Sequence, residues 1–310
     1  MSAVSIIIPT LEAAAYLPAL KGAFDAQSLR PLEVILVDSS SSDGTALVAA
    51  EYGWRCLVID RDAFDHGGTR NLGASLASGD TLVFLTQDAL PAGESWLANL
   101  VAPLVESDIA AAFSRQLPRP DARPREAFTR VQNYPPESAV FAVHDVERLG
   151  IRAMFFSNVS SAIRLTAFDE VDGFPERAIL NEDGYVAARL LERGYRVRYE
   201  ASSCVIHSHD YGIGMQFRRY FDIGVSHAEG PALMREAKAT GVGMRFAWAQ
   251  LRHLAARGAW LEAILAVSEA GAKYLAYRLG RSHDRLPLTW RRRLGWNARY
   301  WETQGAGRGR

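Results

Sequence analysis

Residues 33–45 read Glu33-Val-Ile-Leu-Val-Asp-Ser-Ser-Ser-Ser-Asp-Gly-Thr45. An unbroken apolar run ends in a carboxylate, passes into a serine loop closed by Asp43-Gly44, and is followed by a helical pattern over 45–52. A strand without polar alternation is covered on both faces, which is the pattern of a parallel sheet flanked by helices. Upstream, Val4-Ser-Ile-Ile-Ile-Pro-Thr10 predicts a strand over 4–8 that stops at Pro9, since proline cannot donate to a ladder. A helix is expected over 13–26. Downstream, strands are expected over 55–59 and 81–85 with a helix over 69–77 between them. This alternation predicts a doubly wound α/β domain.

Further along, prolines and charges crowd residues 115–136, and a long irregular loop is expected there. Order resumes with a strand over 158–164, a helix over 181–192, and two strands over 195–199 and 203–207. After Gly214 the chain reads as helices over 215–228, 231–239, 244–256, 260–279 and 290–301. The Gly/Arg-rich last residues are expected to be disordered.

Of the 310 residues, 48% are hydrophobic and 23% charged, which is enough apolar material for a sizeable core in a soluble chain. A formal net charge of zero gives no electrostatic case for nucleic acid as a partner. The charge is uneven, however. From Arg278 to Arg310, nine Lys/Arg stand against Asp284 and Glu302, a local balance of +7 that leaves −7 on the rest. A basic end on an acidic body suits an anionic membrane face; a solvated helical tail reads as well. Two cysteines, Cys56 and Cys204, are too few for a disulfide framework. The N-terminus lacks the basic start of a signal peptide, and no apolar run approaches the ~20 residues of a membrane span. The expected location is cytoplasmic, at most peripheral to a membrane.

In open α/β sheets, ligands bind beyond the carboxyl ends of the strands. That directs attention to Pro9-Thr10, Asp38, Asp60 and Thr86-Gln87-Asp88. The first turn, Pro9-Thr10-Leu11-Glu12, carries neither a dinucleotide fingerprint nor a P-loop. Asp38 can accept from a nucleobase or ribose, or simply form a turn. In Phe64-Asp-His-Gly-Gly-Thr-Arg-Asn71, His66 precedes two glycines, Gly67 and Gly68, that let backbone approach a ligand closely. Arg70, expected in the first turn of the next helix, opposes the macrodipole and is better explained by an anion such as diphosphate. Asp88 can hold Mg2+ or Mn2+ together with substrate phosphates. Asn181-Glu182-Asp183 suits a capped helix start and equally a carboxylate that takes a proton from an acceptor hydroxyl. His207 and His209, two residues apart after a strand, read as metal ligands or as surface polar groups. In the following helix Phe217, Tyr220, Phe221 and Val225 are expected inside, with Arg218 and Arg219 facing phosphates or solvent.

As an ordered set, the segments at 4–10 and 33–45 and Arg70-Asn-Leu-Gly-Ala-Ser75 resemble the inverting glycosyltransferases of family 2, which have the GT-A fold. The resemblance spans about 4–230. Thr86-Gln87-Asp88-Ala89 keeps only the last acid of the family's Asp-x-Asp. With the 64–71 motif and Arg219-Tyr-Phe-Asp-Ile-Gly-Val225, it looks like the bacterial rhamnosyltransferase branch of O-antigen and cell-wall polysaccharide synthesis, which uses dTDP-L-rhamnose. The resemblance implies a GT-A domain over 1–230, with a nucleotide half to about 114 and an acceptor half after it. The helical region 231–310 would follow as a membrane-facing surface. It places Pro9, Thr10, Glu12, Asp38, His66, Gly67, Arg70 and Gln87 at the nucleotide sugar, with Arg70 near the diphosphate. It also implies Asp88 at the metal, with His207 or His209 compensating for the missing acid, Asp183 as catalytic base and Glu182 beside it. The acceptor would be a glycan, lipid-linked at the inner membrane face, and 115–136 a mobile acceptor loop. A hexosyl or N-acetylhexosaminyl transferase using UDP- or GDP-sugars is the same-class alternative. A sugar nucleotidyltransferase and an inactive glycan-binding module are the others.

Overall fold

The structure, a computed structural model, describes residues 3–238 and 242–306. Residues 307–310, where disorder was expected, and Ala239, the expected end of a helix, lie outside the described residues. The first third alternates as the sequence reads: β1 (Val4–Thr10), α1 (Leu17–Asp25), β2 (Glu33–Asp38), α2 (Thr45–Glu51), β3 (Arg55–Val58), α3 (His66–Ser75) and β4 (Thr81–Leu85). The order β3-β2-β1-β4 is parallel throughout, with Ile8 beside Leu36 and Ile7 beside Phe84. Ile6, Ile8, Val83 and Leu85 enter one core with Leu17, Leu20 and Trp96, while Ile7, Leu82 and Phe84 enter another with Phe168, Phe174 and Val186. Two covered faces explain why these strands lack polar alternation.

Several boundaries differ from expectation. β1 runs through Pro9 to Thr10, because Pro9 pairs with Val37 beyond the last pair that β1 makes with β4, where a missing donor costs least. α1 begins late, at Leu17, with Pro18 in its first turn. α3 begins three residues early. Asp65 caps it, its Oδ1 accepting from the Gly67 and Gly68 amides at 3.1 and 2.7 Å, so both glycines belong to a helical turn and not to a loop.

The second part adds β5 (Leu90–Pro91), α4 (Trp96–Val101), β6 (Ile109–Leu117), α5 (Pro124–Asn133), β7 (Ala139–Phe141), α6 (Asp145–Leu149), β8 (Ser160–Arg164), α7 (Leu165–Glu170), α8 (Glu182–Glu192) and β9 (Arg196–Ile206). β8 lies antiparallel between β4 and β6, β6 runs parallel to β9, and β5 and β7 pair antiparallel with β9. The stretch 115–136 is therefore not irregular: it finishes β6 and then forms α5, which has Pro124 in its first turn, where proline is tolerated. The two strands expected over 195–207 are one strand with a bulge, since the register jumps from Ser114–Glu200 to Arg115–Cys204.

The last third is helical: α9 (Ile213–Glu229), α10 (Ala232–Glu236), α11 (Val242–Ala256), α12 (Trp260–Arg281), α13 (Leu288–Leu294) and α14 (Ala298–Ala306). α12 lies against α9 at backbone contact. A Cβ on Gly280 would fall 2.1 Å from the Phe221 carbonyl oxygen, and one on Gly224 2.4 Å from that of Tyr277. The helix expected over 290–301 is broken, because Asp222 Oδ2 takes the Trp296 and Asn297 amides, each at 2.9 Å, and these bonds replace helical ones. Among the described residues no helix is long and apolar enough to cross a membrane.

Candidate active site

The loops after β1 and β2 are stitched into one surface. Asp38 Oδ1 accepts from the Thr10 hydroxyl at 2.9 Å and the Ser41 hydroxyl at 2.6 Å, and its Oδ2 accepts from the Ser41 amide at 2.9 Å. Thr10 and Asp38 are buried, so their polar atoms brace the floor of the site. Glu12 and Ser40 have φ of +50° and +56°, a conformation disfavoured for residues with a side chain. Glu12 is held there by its amide on Ser41 and by its carboxylate, which accepts from the Ser42 amide and hydroxyl, both at 3.1 Å. Gln87 is a clamp: its Oε1 accepts from the Leu11 amide at 2.8 Å and its Nε2 donates to the Leu11 carbonyl at 2.9 Å. Pro9, half-buried, is the next-to-last residue of β1, whereas Asp60 is exposed and stands apart from these bonds.

Gly67 is explained by packing, for a Cβ there would sit 2.1 Å from the Pro175 carbonyl oxygen. His66 is half-buried at the same helix start, and burial lowers its pKa. Arg70 lies in the second turn of α3. Its Nη1 donates to the His66 carbonyl at 2.8 Å and to Glu182 Oε1 at 3.1 Å. Its counter-charge in this structure is thus a carboxylate at the start of α8.

That helix start is unusual. Asn181 occupies the N-cap position with φ +65° and no capping bond, so capping does not account for it. Its side-chain Nδ2 faces His227 Nε2 at 3.1 Å, and His227 Nδ1 faces the Tyr277 hydroxyl at 3.2 Å. The amide donates to Nε2, which puts the imidazole proton on Nδ1. Asp183 Oδ2 accepts from the Asn158 amide at 3.2 Å and Oδ1 from the Gly184 amide at 2.8 Å. Burial and then the adjacent Glu182 charge push Asp183 up to about 7. For Glu182, burial alone would raise the pKa, but it is outweighed by the Arg70 charge together with His66 and the hydrogen bonds the carboxylate accepts, so it moves down. Two neighbouring carboxyls are thereby separated into a fixed anion and a group that exchanges a proton near neutrality.

Asp88, His207 and His209 converge, one ligand atom of each lying within 4.8 Å of the others. His209 Nε2 is 3.1 Å and His207 Nε2 3.6 Å from Asp88 Oδ2, and the two Nε2 atoms are 3.1 Å apart. His207 Nδ1 donates to Gln116 Oε1 at 3.0 Å, leaving its Nε2 lone pair for the cluster. Burial would raise Asp88, but the His209 hydrogen bond and both imidazoles hold it at about 2. This donor set fits a divalent cation. Gln116 also links the halves of the site, because its Nε2 donates to Ser157 at 2.9 Å, next to the Asn158 that supports Asp183.

Beyond the cluster, Tyr211 stacks on His209 with ring centres 5.1 Å apart, and Arg219 lies 4.8 Å over Tyr211 and 5.1 Å over Trp296. Arg219 is held by aromatic faces, and Arg218 is exposed. Gln116, Asn158 and His227 carry no motif of their own, and the sequence reading did not single them out.

A family model described as Glycosyl transferase family 2 matches residues 5–172, ending before Glu182 and Asp183. Similarity to the O-antigen chain rhamnosyltransferase RfbN of Salmonella typhimurium extends further, with 38% identity over 96% of both chains. The rhamnosyltransferase WbaN of Salmonella anatum is likewise 38% identical, over 90% of this chain and 89% of its own. In fold, the chain resembles the mannosyltransferase PcManGT of Pyrobaculum calidifontis, solved with GDP-Man and Mn2+. The TM-score is 0.64 at 18% identity, over 92% of this chain and 88% of that one.

Proposed function

The chain belongs to glycosyl transferase family 2 and is a glycosyltransferase, and on that premise we propose that it moves an L-rhamnosyl group from dTDP-L-rhamnose to a hydroxyl of a lipid-linked glycan. The sugar is argued from the 38% identity with two O-antigen rhamnosyltransferases over nearly the whole chain. The chemistry is argued from one observation, the buried Arg70–Glu182 ion pair at 3.1 Å, which leaves the adjacent Asp183, held only by backbone amides, as the carboxyl free to take a proton.

In this reading the stitched loops at Thr10–Glu12 and Asp38–Ser42 seat the nucleotide, with Gln87 holding Leu11 in place. Asp183 takes the proton of the acceptor hydroxyl. The hydroxyl oxygen forms its bond to the anomeric carbon from the face opposite the diphosphate, and the bond to the phosphate oxygen breaks with its electron pair going to dTDP. The result is inversion in a single displacement. A cation on Asp88, His207 and His209 would supply Lewis-acid neutralisation of the diphosphate. Two imidazoles with one carboxylate suit Mn2+ better than Mg2+, which prefers oxygen ligands. We place the reaction at the cytoplasmic face of a membrane, with peripheral attachment.

Thermal-shift titration with dTDP, UDP and GDP, each with and without Mn2+ or Mg2+, tests the donor, because a ligand of the native state raises the melting temperature. A metal-dependent shift selective for dTDP is expected. A shift with UDP or GDP alone would remove the rhamnosyl assignment, and silence from all three would overturn the nucleotide site.

A further inference from the structure

α12 inverts the usual order of a surface helix. Its two glutamates turn inward onto Arg125 of α5: Arg125 Nε donates to Glu262 at 2.6 Å and Nη1 to Glu269 at 2.8 Å. Lys273 joins them, 2.5 Å from Glu269. What α12 turns outward is Trp260, Leu261, Ile264, Val267, Tyr274 and Leu275, each more than half exposed and spaced along one face of a 3.6-residue helix. α11, joined to it by the short turn after Ala256, exposes Met244 and Trp248 in the same way. Scattered exposed apolar residues are ordinary, but a continuous apolar face on a helix whose acids are hidden calls for a partner.

Charge identifies that partner. From Ala237 to Leu261 the sequence has no acid and four strong bases, Lys238, Arg245, Arg252 and Arg257. Arg245 and Arg252 are exposed on α11, and Arg278 is exposed at the far end of the α12 face. A second copy of the chain would set these cations against themselves, which disfavours a dimer through this surface. An anionic bilayer complements every part of it: aliphatic side chains enter the acyl boundary, arginines meet phosphates, and tryptophan and tyrosine sit at the interface. We infer that the outer face of α11 and α12 is an interfacial docking surface for anionic phospholipid, with both helices lying in the membrane plane. Its biological sense rests on the reading of the acceptor as lipid-linked; its physical basis is the surface itself.

The test is flotation of the full chain with vesicles of phosphatidylcholine alone and of equal parts phosphatidylcholine and phosphatidylglycerol, without substrate. The wild type should float with the anionic vesicles only. Ile264→Asp with Trp260→Ser should lower partitioning by at least about tenfold through lost apolar insertion. Arg245→Glu with Arg252→Glu should lose the anionic preference by a similar factor. All these positions are exposed, so melting temperatures should stay at the wild-type value. Nucleotide binding is measured separately in solution, and failure of the donor reading leaves the flotation result standing. Wild-type protein that stays in the soluble fraction with anionic vesicles overturns the inference. So does a concentration-dependent dimer in sedimentation velocity that Ile264→Asp dissolves, since a second copy would then cover the face.

Discussion

The Arg70 guanidinium lies 3.1 Å from the Glu182 carboxylate, and each side chain is more than nine-tenths covered. The pair keeps Glu182 an anion one residue before Asp183, and that anion in turn raises the proton affinity of Asp183. Removing one member of a buried pair leaves a charge without compensation, which costs about 3–5 kcal/mol. Arg70→Met should destabilise the fold by that order in a denaturant titration. Arg70→Met combined with Glu182→Leu should recover most of the loss and remain inactive.

Asp183→Asn should abolish transfer while the thermal shift with nucleotide is retained. In the wild type, kcat/KM should fall about tenfold per pH unit below about 7, as the base becomes protonated. Stability has the opposite sign. A carboxyl whose folded pKa is raised binds its proton more tightly in the native state, so it destabilises increasingly as pH climbs from its unfolded value of 3.8 towards 7. Asp183→Asn should therefore melt above wild type at pH 8, and the gain should vanish near pH 4; a constant offset across that range would contradict the burial argument.

Gln116 touches no proposed ligand atom except through His207. Gln116→Leu should weaken Mn2+ binding about 10–100-fold, the usual cost of losing an outer-shell partner, as read by electron paramagnetic resonance of free Mn2+. Asp88→Asn should weaken it further. Equal Mn2+ affinity in wild type and both variants would dissolve the proposed site.

Gln87→Ala removes two hydrogen bonds that hold Leu11. With each bond contributing about 0.5–1.5 kcal/mol, KM for the donor should rise roughly tenfold while Mn2+ affinity stays put. A change in Mn2+ affinity instead would mean that Gln87 acts on its neighbour Asp88.

Gly67→Ala discriminates packing from ligand approach. The new Cβ would meet the Pro175 carbonyl at 2.1 Å, so about 1–3 kcal/mol of stability should be lost. A stable variant with weakened nucleotide binding would restore the close-approach reading.

The parallel half of the sheet was legible in the sequence because unbroken runs such as Val34–Val37 are covered on both faces and carry their own signal. β6 was not, since Ile109-Ala-Ala-Ala-Phe113 lacks the β-branched bulk that marks a strand and is held by β8 and β9 on either side. A contact of Asp88 with His207 or His209 could be expected once the second acid was seen to be missing; that both converge on it is seen only in the fold. The partner of Arg70 could not, because Glu182 is 112 residues away and the sequence alone does not say which anion answers a guanidinium. Asn181 misled for a related reason: at an N-cap position its side chain answers to His227 and not to its own helix.

The run from Asn181 through His227 to Tyr277 crosses from the carboxylate pair to the helix whose outer face is apolar. Phe221 and Val225, on the same helix as His227, share a core with Ala276 and Trp301. A graft that joined residues up to Gly230 to the tail of another transferase would keep the whole sheet and every nucleotide loop. It would also strip the cover from α9 and leave the αL backbone at Asn181 with a histidine that had lost its own anchor. The carboxylate pair and the helical tail are thus braced by one another.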